Sequence, residues 1–200
     1  MARIAGVSKQ QSDEKIMAAA VSCMATLGDK GTTFQSIAAK AGVSAGLVVI
    51  YFGTRDQIYP KILDHVISGS RAETAKSIQA VKTPTEQLRA YYLVSIDFFR
   101  KTSEHAKIYL LLYQFASFDP DYRAQCTEIK EFALRRIEGI LTEGKRLGEF
   151  TALENIPLAA RFIHNSLNGL LISLITNDQK NPDAVLLQQF ESVILKMLKE

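Results

Sequence analysis

No stretch of the chain offers the ~18 consecutive apolar residues that a membrane span needs, although 47% of its 200 residues are hydrophobic. The first residues, MARIAGVSKQQSDEK, have no continuous apolar core and no clear cleavage site, so they do not read as an export signal. Cysteine is scarce: Cys23 and Cys126 lie far apart, each within a helical pattern. Without an export signal both read as reduced core thiols, and the cytoplasm is the expected compartment. The three histidines, His65, His105 and His164, show no metal-ligand spacing. There is no Walker loop, no G-x-S-x-G and no local Cys/His signature, so neither catalysis nor a cofactor is expected. His105 follows Glu104, but adjacent helical residues do not face each other. Charge of one sign is also lacking, with 24 basic against 21 acidic residues. Residues 1–60 hold six basic and four acidic side chains, a bias too slight to announce nucleic acid. A DNA-binding reading must therefore rest on geometry.

What the chain has in abundance is helix punctuation. Ser12 precedes DEKIMAAAVSCMATLG, where Ile16, Ala20, Cys23, Met24 and Leu27 share one face and Gly28 offers a stop. Thr33 can cap a short second helix, FQSIAAKA, with Ile37, Ala38 and Ala41 inward. Gly42 follows where a left-handed residue is expected, and Ser44 can cap a third helix from Ala45. Thr54 is placed to cap a longer fourth helix, with Asp56 in its first turn and Pro60 expected to bend it or loosen its first turns. Thr83-Pro84-Thr85-Glu86 is a capping box with proline at the first helical position. Ser103-Glu104, Asp119-Pro120, Asn155-Ile156-Pro157 and Asn181-Pro182-Asp183 mark further starts. One stripe of the helix after Pro120 carries Tyr122, Cys126, Ile129, Ala133, Ile137 and Ile140. The expectation is an all-α fold of about nine helices with no convincing strand.

The six apolar residues Leu47–Phe52 look at first like a buried strand. A lone strand would leave its backbone groups unpaired, so a helix is the better reading. Residues 34–52 then form two short helices joined by a tight turn. Ala38 sits at the crossing, Gly42 in the turn and Val48 as the anchor, with Ile37, Val43 and Phe52 completing the inner face. By spacing alone this fits a helix-turn-helix or an ordinary corner between two helices.

TTFQSIAAKAGVSAGLVVIYFGTRDQIY resembles the DNA-binding segment of the tetracycline-repressor (TetR) family of bacterial regulators. The resemblance is carried by Thr33, Ile37-Ala38, Ala41-Gly42-Val43-Ser44, Tyr51-Phe52 and Arg55-Asp56. It covers about residues 12–60, and beyond residue 80 only the helical layout agrees. It implies a DNA-binding domain over 1–53 and an effector-binding and dimerisation domain over 54–200. It implies further that the third helix enters the major groove of an operator. Thr33, Tyr51 and Arg55 would then contact phosphates beside the helix N-termini at Ser44, and Gln35 would reach a base edge. Ala45, Gly46, Leu47, Val49 and Ile50 would form the outward face. Family members usually carry polar or aromatic groups where this chain has Leu47 and Val49. Two readings follow: a T-rich half-site read largely through methyl contacts, shape and phosphates, or a helix that has lost DNA function or buries this face in another protein. Arg3 and Lys9 belong to an arm that runs along the duplex or is a solvated tail.

The last two helices are apolar on nearly every face, as with Phe162, Ile163, Leu167, Leu170, Leu171 and Leu174. They read as a four-helix homodimer interface, with Gly169 allowing close approach, or as one larger monomeric core. The helices before them are expected to enclose a small-molecule effector. Candidate pocket residues are Tyr91, Phe98, His105, Tyr109, Tyr113, Phe115, Cys126, Phe162, His164, Asn165 and Asn168. The scarcity of internal charge points to a hydrophobic or aromatic ligand. The expected protein is thus a ligand-released DNA-binding repressor. The alternative is a helical sensing or interaction module without DNA activity.

Overall fold

Apolar periodicity and local caps build every element of the structure, a computed structural model that describes residues 9–176 and 184–200. Helix α1 spans Lys9–Gly31, so Ser12 lies within it rather than capping it. Ile16, Ala20, Cys23 and Met24 are buried as the spacing requires. Leu27 is 54% exposed instead. Gly28 takes φ 67 and ψ −174, and this break leaves Leu27 on the rim of the helix end. Buried Thr32 closes that end by donating from Oγ1 to the Gly28 carbonyl at 2.7 Å.

Helix α2 (Phe34–Ala41) begins with a reciprocal cap. Ser36 N–H donates to Thr33 Oγ1 at 3.1 Å, and Thr33 N–H donates to Ser36 Oγ at 2.8 Å. Gly42 ends the helix in the left-handed region at φ 67, where a side chain would be strained. The chain then turns through 115° into α3 (Ala45–Phe52), capped by Ser44 Oγ accepting from Leu47 N–H at 3.3 Å. Ile37, Ala38, Val48 and Phe52 are buried, so the apolar run is helical and anchored as expected.

A 3-10 turn, Arg55–Gln57, precedes α4 (Ile58–Gln79). Thr54 occupies the cap position of that turn, but its side chain makes no capping bond. Pro60 is the third residue of α4, where no N–H partner is needed, so the helix continues unbroken to Gln79. Then follow α5 (Pro84–Lys101), α6 (Ser103–Ala116), α7 (Pro120–Arg146), α8 (Ile156–Thr176) and α9 (Ala184–Lys199). Thr83, Asp119 and Asn155 cap α5, α7 and α8 as their positions foretold. Arg3, Asn181-Pro182-Asp183 and the Leu174 side chain lie outside the described residues. Among the described residues no single helix is long and apolar enough to cross a membrane.

Helix α4 packs along α5, α7 along α8, and α1 against α2 and α6. Buried side chains form one cluster from Ile16 to Leu198. Ile58 and Ile62 of α4 belong to the same cluster as Phe52, so α4 joins the first three helices to the rest. A distant group completes the N-terminus of α5: Glu149 Oε2 accepts from Thr85 N–H at 3.0 Å and from its hydroxyl at 2.6 Å. This contact holds the turn after α7, where Phe150 is buried against Gly144. A Cβ at Gly144 would lie 2.1 Å from the Phe150 ring. Gly144→Ala is therefore expected to destabilise the fold by about 1–3 kcal/mol. Thermal unfolding checks this, with about 2–4 °C of Tm lost per kcal/mol.

Candidate functional site

Two regions concentrate the chemistry. The first is the outer surface of α2 and α3. Gln35 is exposed in the first turn of α2, and Gly46, Val49 and Ile50 are exposed on α3, Ile50 at 82%. Ala45 and Leu47 are instead half-buried against the core, so the outward face of α3 is narrower than the sequence suggested. Nothing lies within 4 Å of where a Gly46 side chain would begin, which leaves the backbone there open to close approach. Thr33 is half-buried and Ser44 exposed, each engaged as a cap. Tyr51 is half-buried with its ring edge-on to Phe52, and burial, aided by Asp13, pushes its hydroxyl pKa up.

Arg55 is not free. Its guanidinium meets the Asp29 carboxylate at 3.1 Å and also the Asp29 backbone carbonyl. The break at Gly28 is what brings Asp29 to this turn. The cation that stands beside Tyr51 is Lys61, whose ammonium donates to the Tyr51 carbonyl at 2.9 Å and lies 5.9 Å from the ring centroid. The sequence offered one signal for it: an exposed base in the first turn of the helix following α3.

The second region is a partly open cavity of about 80 Å³ between the helices. Ile67, Ser70, Arg71 and Thr74 of α4 form one wall, with Tyr91 and Ser95 of α5 and Tyr109 of α6. Ile129, Phe132, Ala133 and Arg136 of α7 face His164, Leu167, Asn168 and Leu171 of α8. A polar chain runs along one side. Tyr113 and Tyr109 hydroxyls meet at 3.1 Å, Tyr109 donates to Asn168 Oδ1 at 3.4 Å, and Asn168 Nδ2 donates to His164 Nε2 at 2.9 Å. Burial, then Lys130, pushes the His164 pKa down, consistent with a neutral ring accepting at Nε2. Burial holds Tyr109 well above the usual phenol range and pushes Tyr91 up to about 12, the latter opposed by Arg136. Arg136 is itself pushed down by burial.

Of the sequence-named pocket residues, Tyr91, Tyr109, His164 and Asn168 line this cavity, and Tyr113 adjoins it through Tyr109. The others do not. Phe98 is buried away from it, stacked on His105 at 4.9 Å. Phe115 packs edge-on to Tyr59 at the far end of α6. Cys126 is half-buried outside the lining, its thiol pKa pushed up by burial. Phe162 is 46% exposed and Asn165 is exposed. Helical period explains both: His164, Leu167, Asn168 and Leu171 make the inner stripe of α8, which places 162 and 165 on the outer one. Arg71, Phe132 and Arg136 were not foreseen, and with them the cavity is less free of charge than the composition implied. The available signal was Arg136, which falls among Ile129, Ala133 and Ile140 on the inward stripe of α7.

On the outer stripe, Phe162, Ser166, Leu170 and Ser173 meet Leu186, Phe190 and Val193 of α9 in an open groove of about 420 Å³. Leu158, Phe162, Ile172, Leu186 and Val193 are all exposed there or nearby along the two helices.

Comparison with known proteins matches residues 16–62 to the model of bacterial regulatory proteins of the tetR family. Residues 81–171 match that of a tetracyclin repressor-like C-terminal domain. The fatty acid metabolism regulator protein of Bacillus subtilis is 25% identical over 166 residues, spanning 83% of this chain and 84% of that protein. The BetI regulator of Burkholderia cenocepacia is 31% identical over 94 residues, and the match spans 48% of its length. Among solved structures, the fatty acid degradation regulator FadR of Bacillus halodurans superposes with a TM-score of 0.81 at 18% identity, covering 97% of this chain and 100% of that one. FadR of Bacillus subtilis in complex with stearoyl-CoA gives 0.78 at 22% identity, covering 92% and 98%. The helix-turn-helix geometry, the two family matches and these likenesses agree: the chain belongs to the TetR family and is a transcriptional regulator, not an enzyme.

Proposed function

We propose that the protein acts as a homodimeric repressor, released from its operator when a small hydrophobic ligand fills the cavity between α4 and α8. The observation that carries this reading is the position of α4. It is the next α-helix after the reading helix, joined to it by the short turn Arg55–Gln57, and from Ile67 onward it walls the cavity. Ligand sites usually enclose about 300–1,000 Å³, so a ligand entering the present cavity must part α4 from its neighbours. The relative holding stearoyl-CoA makes a long-chain acyl-CoA the first probe.

At the operator, Gln35 reads a base edge, while Gly46, Val49 and Ile50 pack on thymine methyls or sugars. Thr33, Tyr51 and Lys61 contact phosphates. Ser44, Ala45 and Leu47 position α3, and Arg55 joins the phosphate contacts only on leaving Asp29. The apolar outer stripe of α8 and α9 supports dimerisation, since exposed contiguous apolar surface marks an interface. The division into a DNA-binding unit, 1–53, and an effector and dimer unit, 54–200, follows from these roles.

Operator affinity is expected to fall steeply with salt, and a flat response for every duplex in a random pool would sink the DNA-binding reading. Lys61→Ala should weaken all sequences alike and reduce the salt slope by about one, whereas Gln35→Ala should relax preference at one position by about 1–3 kcal/mol. Binding measured on an operator and its single-base variants separates the two. Val193→Glu should yield a monomer by sedimentation, with operator affinity lost and helicity retained. Stearoyl-CoA should raise the Tm and free the operator in the same concentration range.

A further inference from the structure

Two cations share one ring at the cavity. The Arg71 guanidinium carbon on α4 lies 4.2 Å from the Phe132 centroid, and that of Arg136 on α7 lies 5.0 Å from it. Both residues line the cavity and both are half-buried. Among the described residues neither forms an ion pair. Five other arginines do meet a carboxylate, Arg55, Arg89, Arg100, Arg135 and Arg146, while exposed Arg123 and Arg161 show no ion pair among the described residues. Stacking on a ring returns about 0.5–2 kcal/mol per cation, but it neutralises no charge. Each arginine also stands in the other's field, which adds to the burial that pushes the Arg136 pKa down. An anion between them would relieve both costs. Guanidinium is the side chain best matched to carboxylate or phosphate, through two parallel N–H donors. In the same lining, Ile67, Leu167 and Leu171 offer apolar surface.

The geometry points to an anion subsite: Arg71 and Arg136 together take the carboxylate or phosphate of an amphiphile whose apolar part enters between Ile67, Leu167 and Leu171. This inference rests on the cavity being the effector site. It narrows the ligand from hydrophobic to anion-headed. It also makes the ligand a bridge between α4 and α7.

Three probes of one chain length test it by calorimetry: dodecanoate, dodecanoyl-CoA and 1-dodecanol, each below its aggregation threshold. At least one anion is expected to bind about tenfold or more tighter than the alcohol, as hydrogen bonds to charged groups warrant. Preference for the carboxylate or for the CoA thioester then tells which head group the arginines hold. That preference should weaken as salt rises, a reading on the unaltered protein that needs no variant. Arg71→Gln and Arg136→Gln should each lower anion affinity without changing the alcohol's, and Arg136→Lys should recover part of the loss. Equal binding of the alcohol, anion preference retained in the double Gln variant, or no binding by either anion overturns the subsite. If the alcohol binds equally well and still frees the operator, the subsite falls and the ligand-released repressor stands. If none of the three binds or frees the operator, both fall together.

Discussion

Tyr59 fixes the one point about which the rest of the molecule is arranged. It is 2% exposed, its hydroxyl donates to the Ile108 carbonyl at 3.1 Å, and its ring meets Phe115 and Tyr122 edge-on at 4.8 and 5.4 Å. A buried aromatic of this kind carries about 3–5 kcal/mol against truncation. It pins the first turn of α4 to α6 and to the start of α7. The cavity wall begins at Ile67, about 12 Å further along the helix at 1.5 Å per residue. A push on that wall therefore tilts α4 about its pinned end more readily than it slides the helix. The reading helix adjoins the pinned end. Ser22 Oγ donates to Glu104 Oε1 at 2.7 Å and ties α1 to the same helix, α6. Helix α1 and the first turn of α4, which lie on either side of α2 and α3 in the chain, are thus both held by one partner, α6.

The cavity is small and partly open to solvent. Its polar side chains from Tyr113 to His164 are linked to one another through Tyr109 and Asn168. Arg71 and Arg136, on α4 and α7, line the same cavity without an ion pair among the described residues. Polar burial and apolar packing hold α6 and α8 together, while α4 and α7 carry like charges toward each other. An occupant that met those charges would stabilise a different spacing of α4, which is what coupling between two sites requires.

What was legible in the sequence was local. Thr33, Gly42, Ser44, Thr83 and Asp119 announce helix ends because caps act within three or four residues. The contacts that escaped are those between distant segments. Glu149 completes the N-terminus of α5 from 64 positions away. Arg55 reaches Asp29 only because Gly28 redirects the chain. Phe162 and Asn165 were grouped with His164 by neighbourhood in sequence, where phase around α8 separates them. Leu27 and Pro60 show the same limit at element ends: a shift of one turn in where a helix begins or breaks changes what its residues face. Arg71 and Arg136 escaped for a different reason. A cation on a helix is ordinarily solvated; the position of Arg136 on the inward stripe of α7 hinted otherwise, and for Arg71 only the shared ring of Phe132 shows it.

The outward face of α3 sets the terms on which a regulator of this kind discriminates sequence. The side chains of Gly46, Val49 and Ile50 offer no donor and no acceptor, so in the proposed complex this helix would distinguish bases through thymine methyls and shape. A single exposed isoleucine is ordinary on a protein surface. Ile50 and Val49 side by side, flanked by an open glycine backbone, form a small apolar strip with a polar reader, Gln35, at its edge. In the proposed complex the strip gains from losing water against methyl groups, a contribution that salt does not screen. The phosphate contacts of Tyr51 and Lys61 weaken with salt, whereas the apolar contacts persist. Affinity and specificity in this protein would therefore rest on separate physical terms, the first carried by Tyr51 and the start of α4, the second by α3 and the first turn of α2.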